Sequence, residues 1–427
     1  MSESDCIVCG RIVEEILPRR RKTLCAQSVR PSTPDLSPVL SKRSPSSTPA
    51  APTEGIWDVF CPVVDNFGDI GVCWRLSRQL VAEYPIAVRL WVDDLKVARR
   101  LIPQLDVLAA SQQIDGVEIR HWSAPLPDIE PGAVVISAFA GNLPDAFLQA
   151  MARRTPKPVW INLEYLSAED WVGDCHGLPS PHPQLPLTQF FFFPGLGGNS
   201  GGFIREADYS ARRTAFVSAA FLAALDLPER RQNELRVSLF SYENKGLREI
   251  IKAWSAGDSP ITCLVPEGRI LPELAAEFGV SGLRAGDQLL CGQLVVRILP
   301  FVEQRKYDEL LWACDLNFVR GEDSFVRAQW AEIPFVWQIY VQKEDAHLEK
   351  LRAFLARYQE GLDPELAGAL SDFWLAWNRG EGVAAAWPAF RAALPALKTH
   401  AKAWSAHLQE GGDLAARLVK FCKLKLE

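Results

Sequence analysis

The sequence predicts an α/β protein made of two successive doubly wound domains with a helical tail. Three observations carry that prediction. From Trp57 onward, apolar runs of strand length alternate with segments of helical period. The alternation pauses at "AALDLPERRQNE" (223–234) and then restarts. The remainder, 344–427, is mostly helical in period, carried by Ala and Leu. Strands alternating with helices mark a parallel sheet covered on both faces.

"WDVFCPVV" (57–64) opens the first domain as a buried strand. "VCWRLSRQLVAEY" (72–84) follows as a helix with Val72, Leu76, Leu80 and Tyr84 on one face. "AVRLWVDD" (87–94), "VEIRHW" (117–122), "AVVISAF" (133–139) and "PVWINLEYLS" (158–167) are further strands, with helical "LPDAFLQAMARR" (143–154) between the last two. A Gly- and Pro-rich stretch runs from Gly173 to Gly202. The second domain reads as strands over 235–242, 261–268, 293–301, 316–321 and 335–341, separated by helices over 246–256, 271–280, 303–314 and 323–333. The chain thus divides into an extension (1–55), two Rossmann-like domains (56–225 and 226–390) and C-terminal helices (391–427).

Composition narrows the function classes. At 427 residues the chain is long for one domain, and 48% apolar with 23% charged residues is globular usage. A net charge of −6 without a basic stripe excludes a broad nucleic-acid surface. No apolar run reaches the roughly 20 residues of a membrane span. Most of the ten cysteines lie in apolar segments such as "ITCLV", which predicts reduced thiols and a cytoplasmic setting. Cys6 and Cys9 form the one spaced pair, without the second pair or His partners of a zinc site, so no metal is expected. Residues 31–53 are almost all Pro, Ser, Thr and Ala and cannot bury enough apolar surface to order, so 1–55 reads as a disordered extension.

In doubly wound sheets ligands bind beyond the C-terminal ends of strands, and three such ends are unusual here. The first is "DNFGDIG" (65–71). Gly68 and Gly71 permit close backbone approach, and amides at the start of the next helix suit an anion. Asp65 and Asp69 suit no anion; they read either as helix caps or as two carboxylates facing a cleft. The fingerprint G-x-G-x-x-G is absent, which disfavours a nicotinamide enzyme. The second is "FVRGEDSFVRAQWA" (318–331). The amides of Asp323 and Ser324 and the Ser324 hydroxyl suit a phosphate, Arg320 adds a bidentate donor, and Glu322 accepts from a sugar hydroxyl. Asp323 or Ser324 also fits a plain helix cap.

The third is "LFSYEN" (239–244) with "LPFVEQ" (299–304). Phe240 and Phe301, beside Tyr242 and Gln304, either sandwich a flat base or belong to the core. The loop "FPGLGGNSGGFIRE" (193–206) is a binding lid or a linker. Nucleotide-holding groups in the second domain and carboxylates in the first suit a metal-free, two-domain nucleotide-sugar glycosyltransferase. There amides, hydroxyls and Arg stabilise the leaving diphosphate while an Asp acts as base on the opposite face, inverting the anomeric centre. A nucleotide-dependent epimerase or dehydrogenase ranks second and a non-enzymatic binding module third.

"DNFGDIGVCWRLSRQL", "FFPG…GG…RE", "LFSYEN", "LPF" and "FVRGEDSFVRAQWA" together resemble the EarP family of protein-arginine rhamnosyltransferases, from about residue 57 to the C-terminus. The resemblance implies a GT-B fold with the two domains facing a central cleft. It implies dTDP-β-L-rhamnose as donor, an arginine of translation elongation factor P as acceptor, an inverted product, no cofactor, and support for translating proline-rich stretches. By motif position it implies Asp69 as general base or orienting group, with Asp65 and Glu322 as further essential acids. Phe240 and Phe301 would stack on thymine. Asn66, Phe67, Gly68, Tyr242, Gln304, Arg320, Asp323 and Ser324 would lie on the donor side.

Overall fold

A computed structural model describes residues 55–64, 67–123, 126, 129–342 and 345–427. The extension expected over 1–55, with Cys6 and Cys9, lies outside these except for Gly55, and Asp65 and Asn66 lie outside them too.

Two parallel-dominated sheets form the frame. The first has eight strands: β1 (Ile56–Cys61), β2 (Ala87–Val92), β3 (Ser111–Ile114), β4 (Val117–His121), β5 (Val134–Ala138), β6 (Val159–Leu163), β7 (Pro179–Pro181) and β8 (Thr188–Phe192). Their order is β3-β4-β2-β1-β5-β6-β8-β7, with only the edge strands β3 and β7 antiparallel to their neighbours. The second sheet uses β9 (Leu235–Leu239), β10 (Ile261–Pro266), β11 (Gln288–Cys291), β12 (Leu294–Leu299), β13 (Leu316–Arg320) and β14 (Phe335–Gln338). Its order is β11-β12-β10-β9-β13-β14, with β11 antiparallel. Central strands such as β5, β6, β9, β10 and β13 are buried along their whole length. That burial on both faces is why they read as continuous apolar runs.

The expected strands and helices are present, and three differences have physical causes. The antiparallel edge strands carry no strong signal: β3 is the half-exposed "SQQI". "FFFF" (190–193) contributes Phe190, Phe191 and Phe192 to β8, which pairs in parallel with β6. The first helix is Phe67–Glu83, beginning five residues before its apolar period does, because its opening turn holds two glycines of poor helix propensity.

Four helices close the chain: Ala346–Tyr358, Pro364–Arg379, Val383–Glu410 and Leu414–Leu426. The boundary expected at 390 falls inside the third of these. The first three pack an aromatic core on the second sheet, where Trp374 and Phe354 lie 5.2 and 6.4 Å from Phe335. The last returns to the first sheet, with Phe421 5.7 Å from Phe190 and 5.8 Å from Phe192. This helix also holds the Gly-rich loop. Arg417 donates to the carbonyls of Gly197 (2.9 Å), Ser200 (2.6 Å) and Gly411 (2.9 Å), so the loop is pinned. A Cβ on Gly201 would stand 2.6 Å from the Phe192 ring, so that glycine serves packing. No helix among the described residues is long and apolar enough to cross a membrane.

Candidate active site

The C-terminal ends of β9, β10, β12 and β13 converge on an open, largely apolar pocket. Its other wall comes from the first sheet's side: Phe67 and Gly68 at the start of the 67–83 helix, and Leu101. The strand-end rule therefore brings nine dispersed candidates of the second domain and its partner wall together: Phe67, Gly68, Phe240, Tyr242, Phe301, Gln304, Arg320, Asp323 and Ser324. Gly321 also lines it, as do Pro266, Glu267, Val302 and Tyr307, which carry no signal in the sequence.

The aromatics are arranged as walls. Phe240 and Phe301 are half-buried and line the cavity, so neither is a plain core residue. Phe301 lies 5.2 Å from Phe67 across the cleft, and Phe240 lies 5.5 Å from Tyr307. The Arg320 guanidinium sits 4.5 Å from the ring centroids of both Phe240 and Tyr242. Such cation–π contacts fix a guanidinium that is also aimed at the cavity.

β13 turns into the 323–330 helix through Gly321, whose φ of +58° suits a residue without Cβ. The Ser324 hydroxyl donates to the Arg320 carbonyl at 2.5 Å and accepts from the Arg320 amide at 3.0 Å. It locks the turn from which the first amides of the helix emerge. The Glu322 carboxylate accepts from the Leu166 amide at 2.9 Å, a contact from the second sheet's side to the first.

Asp323 has a different setting from the one expected. Its carboxylate accepts from Arg75 Nε at 2.8 Å and Nη2 at 3.2 Å, and from Gln304 Nε2 at 3.1 Å. Burial raises its pKa, but Arg75 outweighs that and holds it below the usual carboxylate range. Gln304 is 4% exposed and also donates to the Gly71 carbonyl at 2.7 Å, and among the described residues no donor reaches its buried Oε1. Gly71 is likewise explained by packing: a Cβ there would stand 3.2 Å from the Asp323 Cβ. The glycine admits the opposite helix rather than a ligand.

Asp69, in the first turn of the 67–83 helix, is 2% exposed, and its Oδ2 accepts from the Val64 amide at 2.7 Å. Asp69 stands at the third position of the helix, and its bond to the Val64 amide ties the incoming chain to the helix's first turn. Asp69 is not itself among the residues lining the cavity, although the helix that bears it begins at the cavity wall. Among the described residues no three His, Cys, Asp or Glu side chains gather as a metal-holding group.

Behind the cavity lies a charge network absent from the sequence reading. Glu206 accepts from Arg75 Nη1 and Arg327 Nη1, each at 2.7 Å. Arg327 also binds Asp308 through Nε and Nη2 at 2.7 Å, and Arg212 joins Asp308 at 3.2 Å. Arg75 and Arg327 are fully buried. Burial pushes the Glu206 pKa up, and the two guanidiniums more than reverse this, holding it well below the ordinary value.

Two parallel-dominated α/β sheets with an aromatic-walled cavity at strand ends form the architecture of a GT-B-type fold. Comparison with known proteins narrows this. The family described as "Elongation-Factor P (EF-P) rhamnosyltransferase EarP" matches residues 57–423. A protein-arginine rhamnosyltransferase of Pseudomonas putida is 49% identical over 375 residues, covering 87% of this chain and 99% of its own. One from Pseudomonas aeruginosa is 50% identical over 370 residues, covering 86% and 98%. A solved structure, described as the structural basis for EarP-mediated arginine glycosylation of translation elongation factor EF-P, is 37% identical with a TM-score of 0.61, covering 86% of this chain and 98% of its own. The chain belongs to the EarP family.

Proposed function

We propose that this enzyme transfers L-rhamnose from dTDP-β-L-rhamnose to an arginine side chain of elongation factor P, with inversion at the anomeric carbon, in the cytoplasm. The observation that carries the reading is the cavity, which groups aromatic walls, Arg320 and the start of the 323–330 helix on one side and places the Asp69 helix on the other. The names of its relatives support the sugar and the acceptor.

On the donor side, Phe240 and Phe301 flank the thymine, with Tyr242, Gln304 and Phe67 closing the pocket. The unfilled Oε1 of Gln304 suits a base N–H. Arg320 and the amides of Asp323 and Ser324 hold the diphosphate and stabilise the charge that develops as it leaves. Asn66 and Gly68 complete the donor side at the opening turn.

On the acceptor side, a guanidinium is cationic at neutral pH and a poor nucleophile. Asp69, Asp65 and Glu322 orient it and offset its charge. One guanidino nitrogen attacks the anomeric carbon, the bond to the diphosphate oxygen breaks, and the Asp69 carboxylate takes the proton lost from that nitrogen. Coupling proton loss to bond formation lets a carboxylate of modest basicity serve as base. Neither a metal nor a cofactor has a part in this scheme.

The donor is tested by calorimetry of the purified protein with dTDP and UDP. Selective binding of dTDP is expected, and equal affinity for UDP would remove the thymidine assignment.

A further inference from the structure

An anion entering the cavity meets a difficulty: Asp323, the first residue of the 323–330 helix, lines the same cavity and bears a carboxylate. The side chain is 14% exposed and ionised, and a second negative charge nearby would be repelled strongly in such a setting. The compensating charge comes from the other side of the cleft. Arg75, with a side chain at 0% exposure, grips Asp323 through Nε and Nη2, while Glu206 holds its third nitrogen. Gly71 gives Asp323 the room to come close, and Gln304 clamps both Asp323 and the Gly71 carbonyl. The guanidinium is therefore fixed in three directions and has no freedom to bind a ligand itself. It lies on the same helix as Asp69.

We infer that Arg75 is a positioning residue for the diphosphate: it neutralises and orients the Asp323 carboxylate so that the start of the 323–330 helix accepts an anion, and it ties that helix to the one bearing Asp69. The inference rests on the donor reading above. It differs from a merely structural ion pair in one respect. Loss of a structural tie weakens every ligand of the cavity, whereas loss of charge compensation weakens ligands in proportion to their phosphates.

The test measures affinities of thymidine, dTMP and dTDP by calorimetry in four proteins. Arg75→Gln is expected to lower dTDP affinity by about tenfold or more while thymidine changes by less than about threefold. Adding Asp323→Asn to Arg75→Gln is expected to restore dTDP binding to within about threefold of wild type, because no carboxylate then needs compensation. Asp323→Asn alone keeps Arg75 on Glu206 and is expected to keep or raise dTDP affinity, which decides the matter even where Arg75→Gln does not fold. Equal losses for thymidine and dTDP, no restoration in the double variant, or weakened dTDP binding in Asp323→Asn would overturn the inference. Wild-type protein that binds dTDP no better than thymidine would instead overturn the donor reading on which it stands.

Discussion

Replacing Asp69 by asparagine removes a charge and a proton acceptor while keeping the side chain's volume. The structure sets the size of each consequence. Asp69 is 2% exposed and accepts from the Val64 amide at 2.7 Å, a bond the asparagine oxygen can reproduce. Exchanging a charge-assisted hydrogen bond for a neutral one costs about 1 kcal/mol, or a Tm lower by about 1–2 °C in a chain of this size. No residue of the aromatic walls is touched, so the dTDP dissociation constant is expected to stay within about twofold. Loss of the base is a separate and larger effect: kcat is expected to fall by about a hundredfold to ten-thousandfold. That corresponds to roughly 3–5 kcal/mol of transition-state stabilisation. The assay is single-turnover transfer followed by intact mass of the acceptor, with calorimetry for the donor and a melting scan on the same preparation. Turnover within tenfold of wild type would refute the role of Asp69, and a matching loss of donor affinity would move it to the donor side.

Three further outcomes are expected. Phe301→Ala removes one wall and the partner of Phe67, so dTDP binding is expected to weaken by about 1–3 kcal/mol, and an unchanged dissociation constant would take Phe301 out of the site. Glu206→Gln leaves Arg75 and Arg327, both fully buried, without their shared counter-charge; a loss of about 3–5 kcal/mol in urea unfolding is expected, and a loss below about 1 kcal/mol would show the network to be dispensable. The same network sets an acid limit. Asp323 and Glu206 have native pKa values below their ordinary 3.8 and 4.5, so their stabilisation is present above those ordinary values and is lost as pH falls through the depressed native ones. The urea midpoint should therefore hold down to about pH 5 and drop steeply below about pH 4, with a shallower drop in Glu206→Gln; identical slopes for the two proteins would contradict this origin.

What was legible in the sequence was what depends on local pattern. Continuous apolar runs gave the central strands, because a strand buried on both faces admits little else. Strand ends followed by polar and glycine residues gave Phe240, Phe301 and Arg320, which line the cavity, since ligands of such sheets bind there. What failed to show were partnerships between distant residues. Arg75 reads as a polar position on an amphipathic helix, yet its partners Glu206 and Asp323 lie 131 and 248 residues away. Gly71 looked like a phosphate-loop glycine, although the group it admits is the Asp323 side chain. Leu166 meets Glu322 through its backbone amide, and a backbone contact leaves no mark on residue type. Edge strands such as "SQQI" were silent because half their side chains face water.

The central claim is the transfer itself, and one measurement tests it directly. Elongation factor P is incubated with the purified enzyme and dTDP-β-L-rhamnose, and its intact mass is followed. The account predicts a gain of one deoxyhexose that is absent when the target arginine is replaced by lysine. An unmodified mass under conditions where dTDP is bound, or a gain that survives the lysine replacement, would contradict it.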